Sequence, residues 1–346
     1  MRILYGVTGE GLGHAMRSRV MAEHLRMRGH DVKLVASGRA GAYLRRYHDD
    51  VQDISGAALA YTSDGISHLR TAMRAARTLR ATIRDSLALY RRAISGFQPD
   101  ACISDFDSFS HIFGLLFDRP VISLDHQHVI DRCRHDRDVR RVLPRDFRLT
   151  RAVVRAKLPR CHHYVVTSFY FPDAKYDRTT LVGPILRPEV TALAPSDSGH
   201  VLVYQTSVLS PELVATLHAV RDQRFIAYHR GEPAEAGNVS VRAFDEARFL
   251  ADLASARAVI TNGGFTLMSE ALYLGKPVLS IPLRHQGEQE LNAAYLTTLG
   301  LGTSVRRLDA ATLRAFLRTR DPIARIPAGN AHATSTIDHL LDEATR

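Results

Sequence analysis

Apolar positions in this chain fall into short runs of about five residues, each followed by a glycine-bearing or polar turn and then by a stretch with helical apolar spacing. In the first half the runs cover residues 3–7, 32–36, 100–105, 121–124 and 164–167. Between them the pattern predicts helices over 15–28, with Val20, Met21, Leu25 and Met27 apolar and Gly29 as a stop, over 67–94, ended by Gly96 and Pro99, and over 108–117. Residues 126–160 read as helical pieces broken by Pro144 and Pro159. In the second half, runs at 201–204, 225–228, 239–241, 258–260 and 277–281 alternate with helices that begin near Pro211 and cover 246–256, 265–274 and 288–298, before a helical tail from Ala310. Strands alternating with helices predict parallel α/β sheets.

The rhythm breaks once, over 183–199, where Gly183-Pro184, Pro188, Pro195 and Gly199 cluster. The expected organisation is therefore an N-terminal domain over 1–190 and a C-terminal domain over 198–346. A total of 346 residues suits two such units better than one core. The sequence leaves open whether the last helix crosses back to the first domain.

Composition narrows the class. No apolar stretch approaches the roughly 20 residues needed to span a bilayer. The first residues lack the apolar core of a secretory leader, and Cys102, Cys133 and Cys161 have no CxxC spacing. These features predict a cytoplasmic chain without a disulfide framework. The formal net charge is +10, concentrated in Arg70, Arg74, Arg77, Arg80 and Arg84 and in eleven Arg and Lys residues over 132–160. Such fields suit phosphates, anionic membrane surfaces or nucleic acid, and equally an arginine-rich set of solvated helix faces.

Three segments carry candidate chemistry. Thr261-Asn262-Gly263-Gly264-Phe265 follows a predicted strand and opens a predicted helix, where free N–H groups can hold phosphate oxygens and glycines admit a ligand close to the backbone. Glu270, on that helix, could accept hydrogen bonds from two ribose hydroxyls. Glu288 and Gln289 sit just beyond the next strand, where open α/β sheets present ligand loops, and could bond sugar hydroxyls. Gly9-Glu10-Gly11-Leu12-Gly13-His14 follows the first strand. It is not GxGxxG, and Val35-Ala36-Ser37-Gly38 offers no acidic ribose ligand, which argues against a dinucleotide site. His14 is suited to take a proton from a hydroxyl near neutral pH. Asp105, Asp107 and Asp125, at predicted strand ends, could orient it or bind an acceptor; loop hydrogen bonding is the plain alternative.

The span 259–294, with its NGG…SEAL…GKPVLSIP…EQ…NA order, resembles the donor-binding half of GT-B glycosyltransferases, in particular the MurG-like and UDP-glycosyltransferase-like groups. The resemblance implies two Rossmann-like domains facing each other across a cleft, the first binding the acceptor and the second the donor. It implies that Gly263, Gly264 and Phe265 receive the donor diphosphate, that Glu270 holds the ribose, and that Glu288 and Gln289 contact the donor sugar. Phe244 matches a loop that meets the base. Thr206 and Ser207 stand where a phosphate loop is common, though without its usual glycine. Gly13 and His14 match the N-terminal glycine loop and histidine.

The implied activity is a metal-independent, inverting transfer from a nucleotide sugar, UDP-sugar first and dTDP-sugar next, to an acceptor hydroxyl. No cofactor is expected. His126 and His128 lack a third metal ligand in the sequence, so no metal site is assigned. A lipid acceptor or anionic membrane surface is a compatible partner. Competing readings are a UDP-N-acetylhexosamine 2-epimerase, a noncatalytic nucleotide-sugar sensor and a nucleic-acid-binding protein. The last lacks an RRM, KH or zinc-finger signature.

Overall fold

In the computed structural model, all residues are described except 10, 55–60, 63–64, 67–83, 85, 319–323 and 345–346. Most of the basic helix expected over 67–94, with Arg70, Arg74, Arg77 and Arg80, lies outside the described residues.

The first half forms β1 (Arg2–Val7), β2 (Asp31–Ala36), β3 (Val51–Asp53), a separate pair β4 (Tyr61–Thr62) and β5 (Gly65–Ile66), β6 (Ala101–Asp105), β7 (Val121–Asp125), β8 (His163–Thr167) and β9 (Thr179–Val182). Seven of these make one sheet in the order β3-β2-β1-β6-β7-β8-β9, parallel throughout. The second half forms β10 (His200–Tyr204), β11 (Arg224–Tyr228), β12 (Ala234–Ala236), β13 (Val239–Val241), β14 (Ala258–Thr261), β15 (Val278–Ser280) and β16 (Gly302–Ser304). Their order is β12-β13-β11-β10-β14-β15-β16, parallel except for β12. The central strands are buried on both faces, which is why they read as continuous apolar runs. The strands of the two large sheets that the pattern did not predict, β3, β9, β12 and β16, are the sheet edges and are short and more exposed, so no apolar run marks them; the separate pair β4–β5 was not predicted either.

In each sheet the strand order reverses once beside the first strand of the unit, between β1 and β6 and between β10 and β14. A crevice opens at such a reversal, outside the carboxyl ends of the strands. The helix after β1 runs over Leu12–Met27, three residues earlier than expected. No side-chain cap marks its start, and the earlier start puts Gly13 and His14 in its first turn. The segment 126–160 forms three short helices, Val129–Arg132, Arg137–Val142 and Phe147–Lys157.

The tail divides into the helices Ala310–Arg318 and Asn330–Glu343. Ala333, Ile337, Leu340 and Leu341 of the last helix share a core with Ile3, Tyr5, Ile103 and Ile122. The last helix therefore packs on the first sheet, pinned at its start by two hydrogen bonds between the Asn330 amide and the Leu186 backbone.

Candidate active site

The β1–β6 reversal assembles the first half of the site. Gly6 and Val7 pair with Ser104 and Asp105, so the helix that follows β1 begins beside the end of β6. His14 Nδ1 lies 2.7 Å from Asp105 Oδ1. Arg17, one turn further along the helix, donates from Nε to Asp105 Oδ2 (2.7 Å) and from Nη2 to Asp105 Oδ1 (2.5 Å). Ser18 Oγ adds a fourth bond to that carboxylate. Burial works against the charge on Arg17, but the attraction and hydrogen bonds of Asp105 outweigh it and hold the guanidinium charged. Arg17 Nη2 also lies 2.6 Å from His14 Nδ1, so that nitrogen faces both a donor and an acceptor; the tautomer with the proton on Nδ1 bonds Asp105 and leaves Nε2 as the acceptor. Nε2 receives the Gln127 amide at 3.1 Å.

The β10–β14 reversal builds the second half. Asn262 Oδ1 accepts from Thr206 N (3.0 Å), and its Nδ2 donates to Gln205 Oε1 (2.5 Å), tying the loop after β10 to the loop after β14. Gly263 holds φ +96, and a Cβ there would fall 2.8 Å from Ser280 Oγ. Only glycine suits that backbone without strain. Gly264 precedes the helix Phe265–Tyr273 and has open space where its Cβ would point. The first N–H groups of that helix have no intrahelical partner.

The two halves meet. A Cβ on Gly13 would lie 2.2 Å from Thr266 Oγ1, so the first turns of the helices Leu12–Met27 and Phe265–Tyr273 touch across the domains. Both positive helix ends converge on one cleft. Gln127 spans it: its Nε2 also donates to Glu288 Oε2, at 3.1 Å. His126 stacks on Phe265 at 3.9 Å between ring centroids, with its Nε2 2.7 Å from Asn292 Oδ1. Asn292 in turn donates to the Gly263 carbonyl (3.1 Å).

The expected residues divide by position. His14, Asp105, Gly13, Gly263, Gly264 and Glu288 gather around the cleft, with Thr206 and Ser207 on the loop after β10. Phe244 lines a pocket of about 270 Å³ with Leu12, Met16, Tyr43, Arg46 and Glu246. The Phe265 ring stacks on His126, and its backbone N–H lies at the first position of the helix Phe265–Tyr273. Gln289 turns inward and accepts from Leu283 N (3.0 Å). Asp125 accepts from Ser123 Oγ, His128 Nδ1 and His128 N. Burial raises its pKa, yet the His128 charge and these bonds prevail and hold it well below the usual range. Its contacts are those of a loop-fixing residue. Asp107 caps the helix Ser108–Leu116.

Glu270 is also engaged. Arg187 donates to both its oxygens, from Nε (2.9 Å) and Nη2 (3.1 Å), and from Nη1 to Glu246. Burial still leaves the Glu270 carboxyl above its ordinary value. Sequence reading missed Arg17, Asn262 and Arg187 and gave Gln127 no role. The i, i+3 spacing of Arg17 from His14 was a usable signal; Arg187 sits in the expected linker, where no local pattern marks it. Among the described residues, no group of three His, Cys, Asp or Glu side chains is placed to hold a metal ion.

A family model described as glycosyl transferase family 1 matches residues 1–320. The chain belongs to that family. This glycosyltransferase is 23% identical over 338 residues to an uncharacterized glycosyltransferase of Methanosarcina acetivorans, covering 87% of this chain and 85% of the relative. It is 29% identical over 227 residues to the zeaxanthin glucosyltransferase of Pseudescherichia vulneris, covering 63% of this chain and 50% of that one. Its structure resembles MurG of Acinetobacter baumannii with a TM-score of 0.61 and 14% identity, over 98% of this chain and 99% of the other. The fold is the expected GT-B arrangement, and the enzyme transfers sugar.

Proposed function

We propose that this glycosyltransferase moves a sugar from a nucleoside diphosphate donor, UDP-sugar first and dTDP-sugar next, to an acceptor hydroxyl, with inversion and without a metal cofactor. The observation that carries the reading is the His14 imidazole, held at Nδ1 by Asp105, with Nε2 against the Gln127 amide that also reaches Glu288 of the second domain. A base held this way can take the acceptor proton as the acceptor oxygen bonds to the anomeric carbon. The bond from that carbon to the diphosphate then breaks, and the electron pair leaves with the diphosphate. A single displacement inverts the centre.

The remaining residues take their parts from where they sit. The N–H groups at the start of Phe265–Tyr273, beside Gly263 and Gly264, meet the diphosphate, and the facing helix start at Gly13 adds to the field. Thr206 and Ser207 border the same space. Glu288 contacts the donor sugar, and Gln289 holds its loop. The pocket at Phe244 takes the base. Glu270 keeps a second lone pair on each oxygen for ribose hydroxyls while Arg187 stays bound. Asp105 orients His14, and Asp125 holds the turn at 126–128.

One further observation bears on the acceptor. The helix Phe147–Lys157 exposes Leu149 and Val153 among Arg148, Arg151 and Arg155, an arrangement that suits an anionic bilayer surface. No helix among the described residues is long and apolar enough to cross a membrane. We therefore propose peripheral contact with the inner, cytoplasmic face of a membrane and an acceptor delivered there.

The test is mass-resolved turnover with UDP-, dTDP-, GDP- and ADP-glucose and a mixed acceptor extract. Donor-dependent addition of a hexose to an acceptor is the expected result. Conversion of the donor sugar without any acceptor product would favour the epimerase reading instead.

A further inference from the structure

We propose that Gln127 guards the donor against hydrolysis: its amide occupies the reacting nitrogen of His14 until an acceptor hydroxyl displaces it. This rests on the assignment of His14 as the base.

The geometry is specific. Gln127 Nε2 lies 3.1 Å from His14 Nε2 and 3.1 Å from Glu288 Oε2, so one NH₂ group bridges the base on the first domain and a carboxylate on the second. Glu288 can only accept, which assigns the amide orientation, since a flipped Gln127 would set its carbonyl against a carboxylate; the NH₂ group so placed meets His14 Nε2 as an acceptor. His14 and Gln127 are each only 8% exposed. The lone pair that would receive the acceptor proton is thus already filled, and little room is left for water to reach it.

The latch is built to open. Gln127 Oε1 is buried without a hydrogen-bond partner, a condition that disfavours this position of the side chain. An acceptor hydroxyl arriving at His14 Nε2 supplies the hydrogen bond that the amide gives up, and the side chain is free to turn its carbonyl toward a donor group on the ligand. Water alone brings no further binding contacts to support the exchange.

The reaction being suppressed is the same displacement with water as nucleophile. The water oxygen bonds to the anomeric carbon and its proton passes to His14 Nε2. The carbon–oxygen bond to the diphosphate breaks, and its electron pair leaves with the nucleoside diphosphate.

The experiment uses the full chain, with UDP-, dTDP-, GDP- and ADP-glucose each at saturating concentration and no acceptor, and reads released glucose and nucleoside diphosphate by mass. Gln127→Ala and Gln127→Asn, each checked for an unchanged melting transition, are expected to release glucose roughly tenfold faster than wild type, the factor carried by about one net hydrogen bond. The double variant His14→Ala/Gln127→Ala is expected to lose that gain, which a general loosening of the cleft would not do. Release by both single variants at or below the wild-type rate, or a gain that survives removal of His14, would overturn the guard. A His14→Ala enzyme that still transfers normally to the acceptor found in the extract would instead remove the base assignment beneath it.

Discussion

At Gly13 the backbone of the first domain lies directly against the Thr266 side chain of the second. A methyl group there would collide with Thr266 Oγ1 at 2.2 Å and crowd Thr266 Cβ at 3.1 Å. Gly13→Ala is therefore expected to lower transfer by holding the helix starts apart, and Gly13→Ala/Thr266→Ala to recover part of the loss, because the nearest atom is gone. Steady-state kinetics on the two variants check this. Arg187 offers a stability test. Its side chain is 1% exposed and pairs with Glu270 and Glu246, so Arg187→Met strips the buried Glu270 of this partner, while Glu246 keeps Arg46. Breaking a buried pair in this way costs about 3–5 kcal/mol, which denaturant unfolding would detect.

Glu290 supplies the pH dependence. Burial and the nearby Asp146 push its carboxyl up to about 7, from an ordinary 4.5. Between those values the folded chain keeps a proton that the unfolded chain releases. This contribution to stability is therefore complete below about pH 4.5 and is lost as pH rises through 7. Glu290→Gln should remove that decline and raise stability at pH 8 by on the order of 1 kcal/mol, after allowance for the partial exposure of the group. Thermal melts at pH 5 and pH 8 would show the wild-type and variant curves diverging only at the higher value.

At the scale of elements, the central strands and the helices Glu246–Ser255, Phe265–Tyr273 and Gly287–Thr298 were legible because each buries a continuous or periodic apolar set. The Gly-Gly loop was legible because its glycines follow a strand and open a helix. The contacts that join elements left no such trace. Arg187 reaches Glu270 across 83 residues and Gln127 reaches Glu288 across 161; neither separation has a local signature. The engagement of Glu270 and the inward turn of Gln289 were hidden for the same reason. The helix Phe147–Lys157 carries a prediction of its own: it should sediment the enzyme with vesicles of anionic lipid at low salt and release it at high salt. Arg148→Glu/Arg151→Glu/Arg155→Glu should abolish sedimentation, and an unaltered yield would end the membrane proposal.

For the whole molecule, the important relation is between two strand-order reversals. One places His14 against Asp105, the other places Thr206 against Asn262, and the touching helix starts at Gly13 and Thr266 turn the two crevices toward each other. Further bonds cross between the domains at Tyr43 and Glu246 and at His126 and Asn292, and the last helix ties the end of the chain to the first core. A donor held on the second domain is thereby presented to a base on the first. The most direct test compares wild type, His14→Ala and Asp105→Asn for mass-resolved sugar transfer from the best donor of the panel. The account predicts a fall of roughly 10²–10⁴-fold on loss of the base and a smaller fall for Asp105→Asn, with donor binding retained in both. Transfer by His14→Ala at the wild-type rate would contradict it.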